Sequence, residues 1–350
     1  MHILAAGGSG YIGSVLVPQL LEHGHRVTVL DRLYFGDTLA APIARYGTDR
    51  LRIVRQDVRT FDTSLLDSVD VVVDLAGISN DPSCDLEPEV TQSVNVGGTK
   101  RLAAAAQKRG VRRYIFSSSC SVYGHGEGPG LVETSPRQPV SLYARTKAET
   151  EEFLFDLARQ PGSSMDVTCL RLATVFGLSP RMRFDLAVNV MTKNAYVQRR
   201  ITVDGGGRQW RPFVHVRDAA RAFELALTGD RSKLAGEVFN VGADSSNIQV
   251  LNLAFRVRDA IPGTEIVHAP TDPDLRDYNV SFEKIRRVLD FRTEHTIDDG
   301  IREILGALRE GGVDPDERRW YTLKQYVFLR EAERAYRDLA LDGKLLSVGS

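Results

Sequence analysis

Cysteine is scarce in this chain, one sign of charge does not dominate, and no stretch is built for a membrane. The three cysteines, Cys84, Cys120 and Cys169, are odd in number and far apart, which excludes a disulfide framework and argues against a zinc site. The seven histidines show no helical ligand pattern; His23 and His25, flanking Gly24, read as surface residues, and no metal is expected. Lys plus Arg total 45 against 46 Asp plus Glu, a net charge of −1, so neither nucleic acid nor an anionic membrane surface is implied as a partner. No apolar run approaches the roughly 20 residues of a bilayer span. The N-terminus enters a strand-like run without a basic segment or cleavage site, and a cytoplasmic protein is expected. Internal repeats and low-complexity segments are absent as well.

What is present is enough to bury one large core, or a main domain with a smaller lobe: 350 residues, 42% hydrophobic and 26% charged,. Strand-like runs at 52–54, 69–73, 113–116, 167–170 and 238–241 alternate with helical patterns, notably Asn95 to Arg109 and Tyr143 to Ala158. Such alternation predicts an α/β fold, a doubly wound parallel sheet of Rossmann type with a smaller C-terminal substrate lobe. The expected division is a cofactor-binding core carrying the catalytic residues over 1–170, a mixed region with the substrate lobe over 171–313, and a helical tail over 314–350.

In such sheets ligands lie across the carboxyl ends of the strands. The segment after the first strand reads Gly7-Gly8-Ser9-Gly10-Tyr11-Ile12-Gly13. Gly7 permits the tight turn, Gly10 lets backbone approach a pyrophosphate, and Gly13 lets the next helix pack on the sheet. A helix starting near Tyr11 directs its free N–H groups at the phosphates. The second strand, Arg26 to Leu30, delivers Asp31, whose carboxylate accepts from adenosine ribose hydroxyls and repels a 2′-phosphate; NAD is expected in preference to NADP.

Oxidising a secondary alcohol with NAD requires a base for the hydroxyl proton. Tyr143 and Lys147 lie one helical turn apart on one face, and an ammonium there, with the charged nicotinamide ring, is expected to lower the phenol pKa from its usual value of about 10. Lys147 is also expected on the nicotinamide ribose. Ser119, after the fifth strand, supplies a hydroxyl to hold the substrate oxygen in line with Tyr143.

These residues resemble the extended short-chain dehydrogenase/reductase family, specifically the NAD-dependent nucleotide-sugar epimerases and dehydratases. The resemblance runs from about residue 2 to about 305. Beyond the glycine loop it rests on Asp57-Val58, Leu75-Ala76-Gly77, Asn95 in Val94-Asn95-Val96-Gly97-Gly98-Thr99, Ser117-Ser118-Ser119-Cys120-Ser121 and Tyr143-Ala144-Arg145-Thr146-Lys147. Further on, the segments 171–177 and 211–218 match. The resemblance implies that Asp57 and Val58 contact adenine, and that Leu75, Ala76, Gly77, Asn95 and Ser117 line the cofactor. It implies a nucleotide-diphosphate sugar as substrate, with Ser119, Cys120, Ser121, Thr174, Asn189, Arg211 and Arg276 as contacts, and a homodimer formed through the helices beginning near Asn95 and Tyr143.

Family members that dehydrate or decarboxylate carry an acidic residue two places after the catalytic serine or threonine; Cys120 and Ser121 stand after Ser119 here. That departure favours a 4-epimerase, with a 4-dehydrogenase or 4-ketoreductase as the nearer alternative and a non-catalytic NAD or sugar-nucleotide sensor as another class. Cys120 is either a proton donor near the substrate or a small buried residue. The cations Arg181 and Arg183 either select a phosphate or acidic sugar or belong to a solvated loop. Where the family has an arginine-proline-glycine-aspartate segment, this chain has Asp272-Pro273-Asp274-Leu275-Arg276-Asp277-Tyr278. In the tail, Trp320, Leu323, Val327, Ala335, Tyr336 and Leu339 recur at roughly helical spacing. The tail is expected to cover the substrate lobe or a partner subunit without chemistry.

Overall fold

Along β1 (His2–Ala6) the side chains alternate between two apolar layers, as a strand covered on both faces requires,. Ile3 and Ala5 pack with Leu16, Leu20 and Phe223, whereas Leu4 and Ala6 pack with Leu102, Ala106 and Tyr114. The computed structural model describes residues 1–126, 128, 130–269 and 276–340. The remaining strands, in chain order, are β2 (Arg26–Asp31), β3 (Leu51–Arg55), β4 (Val71–Asp74), β5 (Arg113–Ser119), β6 (Asp166–Leu172), β7 (Thr174–Phe176), β8 (Arg200–Asp204), β9 (Trp210–His215), β10 (Glu237–Val241), β11 (Asn247–Gln249) and β12 (Glu265–Ala269). Six of them join β1 in one parallel sheet in the order β10-β6-β5-β4-β1-β2-β3. The order reverses direction at β1, so a crevice opens between the carboxyl ends of β1 and β4.

The predicted strand runs all fall in this sheet. Tyr143 begins the first turn of a helix spanning Leu142–Arg159, capped by the Ser141 hydroxyl accepting from the Ala144 N–H,. The helix expected from Asn95 starts differently, as a wide π-type turn over Ser93–Gly98 that passes into an α-helix at Thr99–Lys108. A Cβ on Gly98 would lie 2.5 Å from Val58 Cγ1, so the close approach of this turn to the segment after β3 requires glycine.

The second region adds a three-stranded sheet, β11-β9-β7, and the pair β12-β8. They pack with the helix Ala187–Gln198 on Phe176, Phe213, Leu253 and Ile301. The tail forms a helix at Thr322–Leu339, and its apolar stripe is buried only in part, at Leu323 and Val327. Ala335, Tyr336 and Leu339 are exposed, while Thr322 and Gln325 are buried. Trp320 and Tyr321 pack near Phe184 and Ile304 of the second region, and Tyr326 packs on Tyr34 and Phe35, just after β2. The tail therefore bridges both regions instead of covering the substrate lobe alone; residues 341–350 lie outside the described part. Among the described residues no helix is long and apolar enough to cross a membrane.

Candidate active site

The crevice at the carboxyl ends of β1, β4 and β5 holds a cavity of about 680 Å³, a size that suits a small-molecule ligand. Gly7, Gly10, Tyr11, Ile12 and Gly13 form one end of it. The helix behind them starts at Gly13, two residues later than expected, and its N-cap Ile12 supplies no side-chain cap, which leaves this helix end open to an anion. Gly7 has φ +74°, and a Cβ there would stand 2.8 Å from the backbone of Leu75 and Ala76; at Gly13 it would stand 2.4 Å from the Gly8 carbonyl. Only glycine fits these positions, and the cradle suits the diphosphate of a dinucleotide.

Asp31 lies beneath this loop. Its carboxylate accepts from the N–H groups of Ser9 at 3.0 Å and Leu33 at 2.8 Å, while burial raises its pKa. Leu75, Ala76, Gly77 and Ser117 continue the cavity wall. Asp57, Val58 and Asn95, expected to touch the cofactor, are not among the residues that line the cavity. Asp57 pairs with Arg32 at 2.8 Å and with Arg59 at 2.9 and 2.7 Å, and the Arg59 hydrogen bonds hold its pKa at about 2. Val58 packs against Gly98. Asn95 is buried, accepting from the Ile78 N–H at 2.7 Å and donating to the Ile78 carbonyl at 3.0 Å and Thr146 Oγ1 at 3.3 Å. Its carboxamide braces the chain that follows Gly77 and has no face on the cavity.

Ser119, Tyr143 and Lys147 meet on the cavity floor. Ser119 ends β5 and accepts from the Ser121 N–H at 3.1 Å, which aims its hydroxyl; that hydroxyl favours ionisation of the Tyr143 phenol. Lys147 is buried, with Nζ donating to the Ser117 carbonyl at 2.6 Å and standing 5.7 Å from the Tyr143 ring centroid. The expected depression of the phenol pKa is not found in the protein by itself. Burial, and after it the Cys84 thiol, raises the pKa of Tyr143 above the ordinary tyrosine value, and burial lowers that of Lys147. The geometry of the pair is in place, but low-dielectric surroundings outweigh a cation at this distance.

On the substrate side Ser121, Thr174, Arg211 and Arg276 reach the cavity. The Ser121 hydroxyl is buried with no hydrogen-bond partner among the described residues. Arg211 donates to the Trp210 carbonyl at 2.8 Å and to that of Arg276, and Arg276 pairs with Asp81 at 3.0 Å. Asp272, Pro273, Asp274 and Leu275, the preceding part of that segment, lie outside the described residues.

Two expected contacts are corrected. Cys120 does not line the cavity: its thiol is buried, donates to the Arg171 carbonyl at 3.2 Å and has its pKa raised by burial, which favours the neutral form. Asn189 is fully buried, accepting from the Gly177 N–H at 3.0 Å and donating to the Tyr11 hydroxyl and the Arg183 carbonyl, both at 3.0 Å. It ties the glycine loop to the second region.

Arg181 and Arg183 are buried in the cavity wall and do not belong to a solvated loop. Arg183 grips Asp185 with bonds of 3.0 and 2.7 Å, and although burial works against the carboxylate, Arg183 keeps its pKa below the ordinary range. Asp185 also accepts from Asn80, whose φ of +70° places it in the left-handed region. Phe35, Thr322, Leu323 and Tyr326 complete the wall from segments that carried no sequence signal for a site.

One cluster outside the cavity has the side chains of a cation site, His215, Asp218 and His295, with candidate ligand atoms within 4.8 Å of one another. Their atoms already have partners. His215 accepts from the Arg217 N–H through Nδ1 at 3.2 Å and faces Glu303 through Nε2 at 2.7 Å. Asp218 accepts from the N–H groups of Glu294 at 2.9 Å and His295 at 3.0 Å. The cluster latches the 294–295 segment to the helix after β9, and the 80-residue gap between the histidines hides it from helical spacing.

Comparison with known proteins agrees with this arrangement. The family model described as the NAD dependent epimerase/dehydratase family matches residues 3–242. A dTDP-glucose 4,6-dehydratase of Streptomyces niveus is 32% identical over 338 residues, covering 92% of this chain and 95% of the relative. A UDP-glucose 4-epimerase of Mycolicibacterium smegmatis is 32% identical over 318 residues, covering 88% and 99%. Among solved structures, a dTDP-glucose 4,6-dehydratase from Streptomyces venezuelae with NAD bound superposes with a TM-score of 0.77 at 28% identity, covering 89% of this chain and 98% of that one.

Proposed function

Because the chain belongs to the NAD-dependent epimerase/dehydratase family, we propose that it is a nucleotide-diphosphate-sugar 4-epimerase acting by transient oxidation at C4 of the sugar. The observation that carries this reading is chemical. Ser119, Tyr143 and Lys147 share one cavity floor, while the two positions after Ser119 hold a thiol that does not line the cavity and a neutral hydroxyl. A proton acceptor is present for one alcohol, and the carboxylate that elimination uses beside Ser119 is missing.

Held by the glycine loop and Lys147, NAD would supply the hydride acceptor and donor for C4. Tyr143 accepts the hydroxyl proton and gives it back, Ser119 holds the reacting oxygen, and Lys147 holds the cofactor ribose and favours phenolate. Arg211 and Arg276 meet the substrate diphosphate, where charge-assisted bonds are strong. Between the two half-reactions the keto sugar turns over, presenting its other face.

A 4,6-dehydratase is the second reading, and one observation favours it. Asp81 lines the same cavity with Oδ1 buried and without a hydrogen-bond partner among the described residues. Incubating the NAD-loaded enzyme with UDP-glucose and dTDP-glucose separates the readings. An isomer of unchanged mass without net NADH is expected. A product lighter by one water establishes the dehydratase, and NADH accumulating in step with sugar consumption sinks the epimerase reading in favour of a dehydrogenase.

We further infer a cytoplasmic homodimer built on the helices Thr99–Lys108 and Leu142–Arg159. Phe153 and Phe155 of the second helix remain only partly buried in the single chain, and a subunit contact would cover them. Light scattering at micromolar concentration is expected to give twice the chain mass; a monomer there contradicts the inference.

A further inference from the structure

Among the cations of the cavity, Arg181 stands apart. It is 3% exposed, yet no carboxylate lies within salt-bridge distance of it among the described residues. Its guanidinium donates to Thr322 Oγ1 at 3.0 Å and, at 3.4 Å, to the Met182 carbonyl, and stacks 3.7 Å from the Phe35 ring centroid. Two bonds leave most of its five N–H donors for something else. Burial, then the neighbouring Arg183, presses against its charge, and arginine does not escape that cost by losing a proton near neutral pH. A buried cation in this position is stable when an anion completes it.

Its surroundings identify the anion. Arg181 shares the cavity wall with Gly10, Tyr11 and Phe35, its field reaches Asp31 and Tyr11, and Phe35 follows β2 directly. This is the glycine-loop end, whereas the contacts of Arg211 and Arg276 run to Trp210, Tyr278 and Asp81. The tail holds Arg181 there. Tyr326 stands edge-on to Tyr34 at 6.1 Å and to Phe35 at 5.6 Å, Gln325 donates to the Tyr34 carbonyl at 2.7 Å, and Thr322 receives the Arg181 bond. These tail residues lie beyond the family match, which ends at residue 242.

We propose that Arg181 is a second diphosphate contact for NAD, opposite the glycine loop, and that the helix Thr322–Leu339 is a strap that aims it and covers the adenosine end of the cofactor. This rests on NAD occupying the glycine loop and not on which sugar is turned over.

The test is equilibrium binding to nucleotide-free full-length protein, with NAD and UDP as separate probes. Arg181→Met is expected to raise the NAD dissociation constant by about tenfold or more, as loss of a charged hydrogen-bond partner does, while the UDP constant stays within about twofold of wild type. Arg181→Lys is expected to recover part of the loss. An unchanged NAD constant, or an equal loss for UDP, overturns the proposal; the second outcome places Arg181 on the substrate diphosphate. Wild-type protein that binds UDP but not NAD overturns the cofactor reading beneath it. Circular dichroism reports folding, and should Arg181→Met not fold, Thr322→Val carries the test: weaker NAD binding supports the strap, unchanged binding removes it.

Discussion

Tyr143→Phe is expected to lower kcat by about 10³-fold, within the range of general acid–base catalysis, while dissociation constants for NAD and the nucleotide sugar change by less than about twofold. The ring remains, so its packing survives; only the hydroxyl beside Ser119 and above Lys147 is lost. A fall in kcat and kcat/KM together identifies an interaction made in the transition state, and turnover at the wild-type rate removes Tyr143 from the mechanism. The pH dependence has a definite sign. Burial raises the phenol pKa and the Ser119 hydroxyl opposes that rise, and the oxidising half-reaction uses phenolate. Its rate therefore climbs with pH on the acid limb. Ser119→Ala moves that limb to higher pH, because the phenol then ionises less readily. The NAD-bound enzyme has its limb at lower pH than the free protein's phenol titration, since the cofactor's positive ring favours phenolate.

The second large effect is on stability. Glu151 and Arg171 are buried side by side, with Arg171 Nε and a terminal nitrogen 2.9 and 2.7 Å from the two carboxylate oxygens. Ser118 donates to the same carboxylate at 2.5 Å, and Arg171 reaches the Tyr123 hydroxyl at 2.9 Å and the Glu133 carbonyl at 3.0 Å. Glu151→Ala leaves the guanidinium buried without its counter-charge and is expected to cost about 3–5 kcal/mol in chemical denaturation. Replacing both residues, as Glu151→Leu with Arg171→Met, is expected to cost less than the single change, because no charge is then stranded. Additive losses in that double variant contradict the account. The pair also matters to the site. Glu151 lies one turn beyond Lys147 on the same helix, and Ser118 and Arg171 are paired residues of β5 and β6, so the network sets how the helix carrying Tyr143 meets the strand carrying Ser119.

Local rules made much of this legible. The glycine loop is dictated by backbone contacts that admit no Cβ, and the parallel strands announce themselves by apolar runs long enough to be covered on both faces. Tyr143 and Lys147 share a face because four residues make one turn. Cys120 was ambiguous for an equally local reason: β5 ends at Ser119, and the tight turn over Cys120–Tyr123 replaces strand alternation, so adjacency to Ser119 did not say which way the thiol points. Asn95 and Asn189 stand at positions adjoining the site, yet their carboxamides are consumed by other segments of the chain, Ile78 and Thr146 for Asn95 and Gly177, Arg183 and the Tyr11 hydroxyl for Asn189.

By itself, then, the sequence determined the sheet, the glycine cradle and the shared face of Tyr143 and Lys147, because each depends on spacing within a single strand, turn or helix. Only tertiary structure decided the rest. Arg183 is neutralised by Asp185 while Arg181 is left to an anion, the phenol of Tyr143 is pushed up by burial instead of down by Lys147, and the tail closes on the loop after β2 through Gln325 and Tyr326 and on Arg181 through Thr322. Each of these is settled by which groups from remote segments share a low-dielectric space, where solvation and charge pairing act through distance and are indifferent to order along the chain.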